Sequence, residues 1–125
     1  MPRILVVDDE RSVREFLDIM LRDAGYETVL AVDGQDALER PGRFDLLVTD
    51  LMMPRMNGDM LAMKMFKSDP TLKVLYLTAY SDRLFKKKVT LWEGEAFLDK
   101  PITAEGILEA VEMLLAQGSA SRSAG

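Results

Sequence analysis

The chain of 125 residues contains no cysteine and no histidine. Without cysteine there is no disulfide framework, thiolate nucleophile or Cys-based zinc site, and without histidine there is no Ser-His triad or imidazole base. Any chemistry must come from carboxylates, hydroxyls, lysines and bound ions. Basic charge is also short: 16 Lys and Arg face 21 Asp and Glu, giving a net charge of −5 and a pI near 4.8. This argues against direct nucleic-acid binding, because such proteins carry a basic face that displaces counterions. The basic run Lys86-Lys87-Lys88 reads as a solvated helix face. No apolar stretch approaches a membrane span, and Ile4-Leu5-Val6-Val7 meets acid too soon to be a secretory signal core. A cytoplasmic protein with no membrane partner is expected.

What is present suits one domain, since a chain of this length buries roughly two-thirds of the surface its unfolded form exposes. Short apolar runs recur at Ile4 to Val7, Leu46 to Val48, Val74 to Leu77 and Ala96 to Leu98, without in/out alternation. Such runs suit parallel strands covered on both faces. A weaker strand is expected around Glu27 to Leu30, after the helix stop at Gly25. Segments of helical period lie between the strands, with Val13, Phe16, Leu17, Met20, Leu21 and Ala24 on one stripe and Ile107, Val111, Leu114 and Leu115 on another. The reading is five strands alternating with five helices, near 11–24, 34–40, 57–67, 82–90 and 104–117. This is a βα repeat building a doubly wound parallel sheet, whose ligands bind outside the carboxyl ends of the strands. Residues 1–117 form the expected domain, and 118–125 read as a disordered tail or truncated linker.

The strand ends are chemically distinct. The first ends in Asp8-Asp9-Glu10, the third in Asp50, the fourth in Thr78 and the fifth in Asp99-Lys100-Pro101. If the first and third strands are neighbours, Asp8, Asp9 and Asp50 converge, and a hard divalent cation relieves their repulsion. Mg²⁺ suits such a site, while Lys100 and Thr78 offer a charge and a donor to a tetrahedral anion. Each residue also has a plainer reading. Asp8 or Asp9 would cap the first helix, Asp50 would serve a turn, Thr78 would be an ordinary hydroxyl, and Lys100 would be a loop lysine. Their joint placement at the ends of consecutive core strands favours a site.

These residues resemble the receiver domain of two-component response regulators. The motifs are Asp8-Asp9, the run from Asp50 through Pro54 to Asn57-Gly58, the strand Leu75-Tyr76-Leu77-Thr78-Ala79, and Phe97-Leu98-Asp99-Lys100-Pro101. The resemblance covers Arg3 to about Gln117. It implies a flavodoxin-like (βα)5 fold with strand order 2-1-3-4-5, and Asp50 as phosphoacceptor. It further implies Mg²⁺ bound by Asp9, Asp50 and the backbone carbonyl of Met52, with Asp8 acting through a water. Lys100 would pair with phosphoryl oxygens, Thr78 and Phe97 would form the switch, and the peptide before Pro101 would be cis. Met52 and Tyr80 would control access of hydrolytic water; both are bulky, which implies a long-lived phosphoryl group. The implied donor is a sensor histidine kinase or histidine phosphotransfer protein. The implied output is the surface of helix 82–90, the fifth strand and the last helix, which would bind an unknown downstream protein or a second copy in a phosphorylation-dependent homodimer.

Two departures stand out. The turn before the fifth strand reads Trp92-Glu93-Gly94-Glu95, displacing the family's Gly-Ala. Helix 82–90 has a thin apolar stripe of Phe85, Val89 and Leu91, so it is expected to be short, irregular or mobile, as in receivers of hybrid kinases. Met52, Met53, Met56, Met60, Met63 and Met65 crowd the segment after Asp50, where flexible core filling is the expectation and partner covering the alternative. Aspartyl-phosphate hydrolases place a second acid two residues after the nucleophile, where this chain has Met52, so a phosphoacceptor is favoured over a turnover enzyme. A phosphorylation-independent pseudo-receiver scaffold is the remaining alternative.

Overall fold

The computed structural model describes residues 1–79 and 94–117. The elements are β1 (Arg3–Val7), α1 (Arg11–Asp23), β2 (Glu27–Ala31), α2 (Gly34–Leu38), β3 (Leu46–Asp50), α3 (Gly58–Phe66), β4 (Lys73–Thr78), β5 (Glu95–Asp99) and, as the last described helix, α4 (Ala104–Ala116). All strand pairings are parallel, in the order β2-β1-β3-β4-β5. Helix 82–90 and its expected mobility, the lysine run, Tyr80, Trp92, Glu93 and the 118–125 tail lie outside the described residues.

Alternate residues of the strands face two separate cores. Ile4, Val6, Leu46, Val48, Leu75 and Leu77 pack against α1 and α4, through Leu17, Leu21, Ile107, Val111 and Leu114. Leu5, Val7, Leu47, Val74 and Tyr76 meet Ala37 of α2 and Leu61 and Ala62 of α3. Both faces of β1, β3 and β4 are therefore covered, which explains their unbroken apolar runs. A fully buried leucine such as Leu17 or Leu21 contributes roughly 1.5–3 kcal/mol of transfer free energy. Strand β5 also meets both cores, Phe97 on one face and Ala96 and Leu98 on the other. It lies at the edge of the sheet, and its side chains from Glu95 to Leu98 are only half-buried.

Local signals set the helix boundaries. Asp33 caps α2 by accepting the Asp36 amide at 2.8 Å, and Thr103 caps α4 by accepting the Gly106 amide at 3.0 Å. Gly25, with φ of 96°, turns the chain from α1 into β2. The methionines divide. Met53, Met56 and Met65 pack on the core, whereas Met52, Met60 and Met63 stay exposed, so core filling accounts for half of them. No helix among the described residues is long and apolar enough to cross a membrane.

Candidate functional site

Register brings the acids together. Val7 pairs with Thr49 across β1 and β3, so the next residues, Asp8 and Asp50, stand side by side at the carboxyl edge of the sheet. Asp8, Asp9 and Asp50 each present a carboxylate oxygen within 4.8 Å of the others. Asp8 is fully buried and Asp50 is 6% exposed, while Asp9 faces solvent. Neither Asp8 nor Asp9 caps α1. Glu10 occupies that position without a side-chain cap, and Asp8 Oδ1 accepts the Glu10 amide at 2.9 Å.

Lys100 approaches from the end of β5, its Nζ standing 3.4 Å from Asp50 Oδ2 and 3.5 Å from Asp8 Oδ2. The latter is an ion pair without hydrogen-bond geometry, because Asp8 Oδ2 is buried with no hydrogen-bond partner. Burial pushes the Asp8 carboxyl up against the opposing pull of the Glu10 amide and Lys100. Burial, then the Asp8 charge, raises Asp50 to about 6. Lys100 is held above its ordinary value, since Asp8 and Asp50 together outweigh the desolvation that would lower it. One ammonium thus serves two of the three clustered carboxylates, and the buried Asp8 Oδ2 accepts no hydrogen bond. Clustered hard oxygen donors with excess negative charge fit Mg²⁺.

The other residues ring this centre. Thr78 is buried, and its single hydroxyl proton has two acceptors in reach, the Ala79 carbonyl at 3.1 Å and Asp99 Oδ1 at 3.4 Å. Phe97 pairs with Tyr76 across the sheet, with ring centroids 5.3 Å apart. The Lys100–Pro101 peptide is cis. Met52 is exposed beside Asp50, whereas Met53 is buried.

Two residues near the centre escape a reading of the strand ends. Arg14 donates to the Asp8 carbonyl at 2.7 Å; its place one turn into α1 gives no sign of that contact. Gly58 sits so close to β3 that an added Cβ would lie 2.3 Å from the Asp50 carbonyl oxygen. Its signal was the Asn57-Gly58 pair itself, since a glycine opening a helix marks close backbone approach.

An acidic cluster at the carboxyl ends of β1 and β3, joined by a lysine that follows the edge strand β5, defines an α/β protein of the doubly wound class with its site at the carboxyl edge of the sheet. Residues 4–112 match the family model of the response regulator receiver domain, and the chain belongs to that family. It is 40% identical over 116 residues to the response regulator MprA of Mycobacterium leprae, covering 90% of this chain and 50% of that protein. It is 31% identical over 122 residues to the transcriptional regulatory protein DltR of Streptococcus agalactiae, covering 96% and 54%. The chain thus spans about half the length of these curated relatives. Among solved structures, it resembles the response regulator TrrA of Thermotoga maritima in complex with Mg(2+)-BeF, with a TM-score of 0.79, 34% identity and coverage of 91% and 99%. The receiver domain of the hybrid histidine kinase CckA is also similar, with a TM-score of 0.75, 35% identity and coverage of 90% and 98%.

Proposed function

We propose that this receiver domain is a phosphoacceptor module of a two-component phosphorelay. Asp50 takes a phosphoryl group from the phosphohistidine of a sensor histidine kinase or histidine phosphotransfer protein. The carrying observation is the buried Asp50 carboxylate, gathered with Asp8 and Asp9 and 3.4 Å from the Lys100 ammonium. Asp9, Asp50 and the Met52 backbone carbonyl would hold Mg²⁺, with Asp8 holding it through a water. The similar protein TrrA was solved in complex with Mg(2+)-BeF, which supports Mg²⁺ as the cation. When bound, the cation supplies positive charge that offsets repulsion between a carboxylate and an anionic phosphoryl group.

One Asp50 oxygen attacks phosphorus and forms the acyl phosphate bond. The bond from phosphorus to the donor imidazole nitrogen breaks, and its electron pair stays on the imidazole. Lys100 pairs with the phosphoryl oxygens and orients the group. Thr78 then turns from Ala79 and Asp99 toward a phosphoryl oxygen, and Phe97 repacks into the space it vacates. This two-state change alters the surface around segment 82–90, β5 and α4, where a downstream protein or a second copy binds. Exposed Met52, together with Tyr80, screens the acyl phosphate from water. The domain catalyses only its own phosphorylation and dephosphorylation, since Met52 occupies the place of a hydrolase's second acid.

The net charge of −5 supports protein partners over direct nucleic-acid contact by this segment. The transcriptional role in DltR's name would belong to a segment beyond the part this chain matches. A cysteine-free composition suits the cytoplasm. Intact mass after incubation with acetyl phosphate and Mg²⁺ tests the proposal. One phosphoryl adduct is expected on the wild type and none on Asp50→Asn. No adduct on either favours the phosphorylation-independent scaffold, and equal adducts remove Asp50 as acceptor.

A further inference from the structure

The loop between β3 and α3, residues 51–57, is fastened at both its base and its tip. At the base, the Gly58 amide donates to the Leu51 carbonyl at 2.8 Å. At the tip, the Arg55 guanidinium donates to Asp33 Oδ2 at 2.9 Å. Arg55 does so with φ of 68°, a left-handed conformation that costs a side-chain-bearing residue about 1–2 kcal/mol. Met56, the next residue, lays its sulfur against Gly34, where an added Cβ would meet it at 2.6 Å.

Asp33 and Gly34 open α2, and Asp33 divides its carboxylate. Oδ1 accepts the Asp36 amide as helix cap, while Oδ2 accepts Arg55. Two residues earlier, the Ala31 carbonyl accepts the Asp8 amide at 3.4 Å. The contacts form a circuit around the acidic centre, from Asp8 to β2, from β2 to Asp33, across to Arg55, and along the loop to Asp50.

An exposed ion pair contributes only about 0–1 kcal/mol to stability, and the Arg55 side chain is 77% exposed. Global stability therefore does not account for the pair, and the turn at Arg55 is closed by its own backbone, the Met56 amide donating to the Pro54 carbonyl at 2.7 Å. The pair's mechanical effect is local, joining the tip of the Met52-bearing loop to a capped helix start that β2 ties to Asp8. We propose that the Asp33–Arg55 pair, with Met56 seated on Gly34, is a positioning clamp that holds loop 51–57 in its cation-binding conformation. This rests on the Mg²⁺ reading above. Asp33 and Arg55 are positioning residues, acting through the loop and not on the cation.

The test uses Asp33→Asn, Arg55→Gln, their double variant and Arg55→Lys. Asparagine keeps the cap acceptor, and glutamine keeps a side chain at the strained position. Three quantities are read: Mg²⁺ affinity by calorimetric titration, hydrogen exchange of the loop amides without Mg²⁺, and urea midpoint. Each of the first two variants should bind Mg²⁺ about two- to fivefold more weakly, as loss of an exposed pair allows. Each should exchange its loop amides faster, with the urea midpoint little moved. The double variant should be no worse than either single, and Arg55→Lys should lie closer to the wild type.

Unchanged loop exchange, wild-type Mg²⁺ affinity, additive losses, or losses that track the urea midpoint would each overturn the clamp. A wild type that binds no Mg²⁺ overturns the site reading and the clamp's role with it. A wild type that binds while the variants match it overturns the clamp alone.

Discussion

Lys100 stands between two buried carboxylates, its Nζ 3.4 Å from Asp50 and 3.5 Å from Asp8. One ammonium therefore serves two acids that burial has already made costly to ionise. Removing one partner of a buried charge group leaves the others uncompensated, which for fully buried pairs costs about 3–5 kcal/mol. The Lys100 side chain is 23% exposed, so the cost should be smaller. Lys100→Met should lower metal-free stability at neutral pH by about 1–3 kcal/mol in urea denaturation. Saturating Mg²⁺ should recover part of the loss.

Asp50 supplies a pH signature. Its folded-state pKa is about 6, against an ordinary value of 3.8. Between these values the folded state keeps a proton that the unfolded state releases, so this group's contribution to stability falls as pH rises through the window. Asp50→Asn removes the penalty. In metal-free urea denaturation the variant should exceed the wild type by about 3 kcal/mol at neutral pH. The gap should close as pH falls toward 3.8.

Cation binding should carry the opposite pH dependence, because it needs the carboxylates ionised. Mg²⁺ at a hundredfold excess over its dissociation constant should stabilise the wild type by about 2.7 kcal/mol at neutral pH. The gain should shrink below the Asp50 pKa of about 6. Asp9 is exposed, so Asp9→Asn should leave metal-free stability nearly unchanged while removing most of the Mg²⁺ gain in thermal melts.

Gly58 and Gly25 separate crowding from backbone strain. A Cβ at Gly58 would meet the Asp50 carbonyl oxygen at 2.3 Å, so Gly58→Ala should cost about 1–3 kcal/mol and weaken Mg²⁺ binding by shifting the loop. Gly25 has φ of 96° and nothing within 4 Å of an added Cβ. Gly25→Ala should cost about 1–2 kcal/mol in denaturation and leave Mg²⁺ affinity unchanged.

The sequence by itself determined the elements and the chemistry at their ends. Apolar runs and helical stripes are local patterns, so the five strands and the helices at α1, α2, α3 and α4 were legible from residues close together in the chain. Asp8, Asp50, Thr78 and Lys100 were legible as a group because parallel strands deliver their carboxyl ends to one side of the sheet. The tertiary structure decided what depends on register and on contacts between distant segments. It made β5 a half-buried edge, assigned the α1 cap position to Glu10 in place of Asp8 or Asp9, and left Met52, Met60 and Met63 exposed. It also joined Arg55 to Asp33, 22 positions away in the chain. No periodicity encodes such a pair, because its partners meet only once β2 and β3 have both paired with β1 in the sheet.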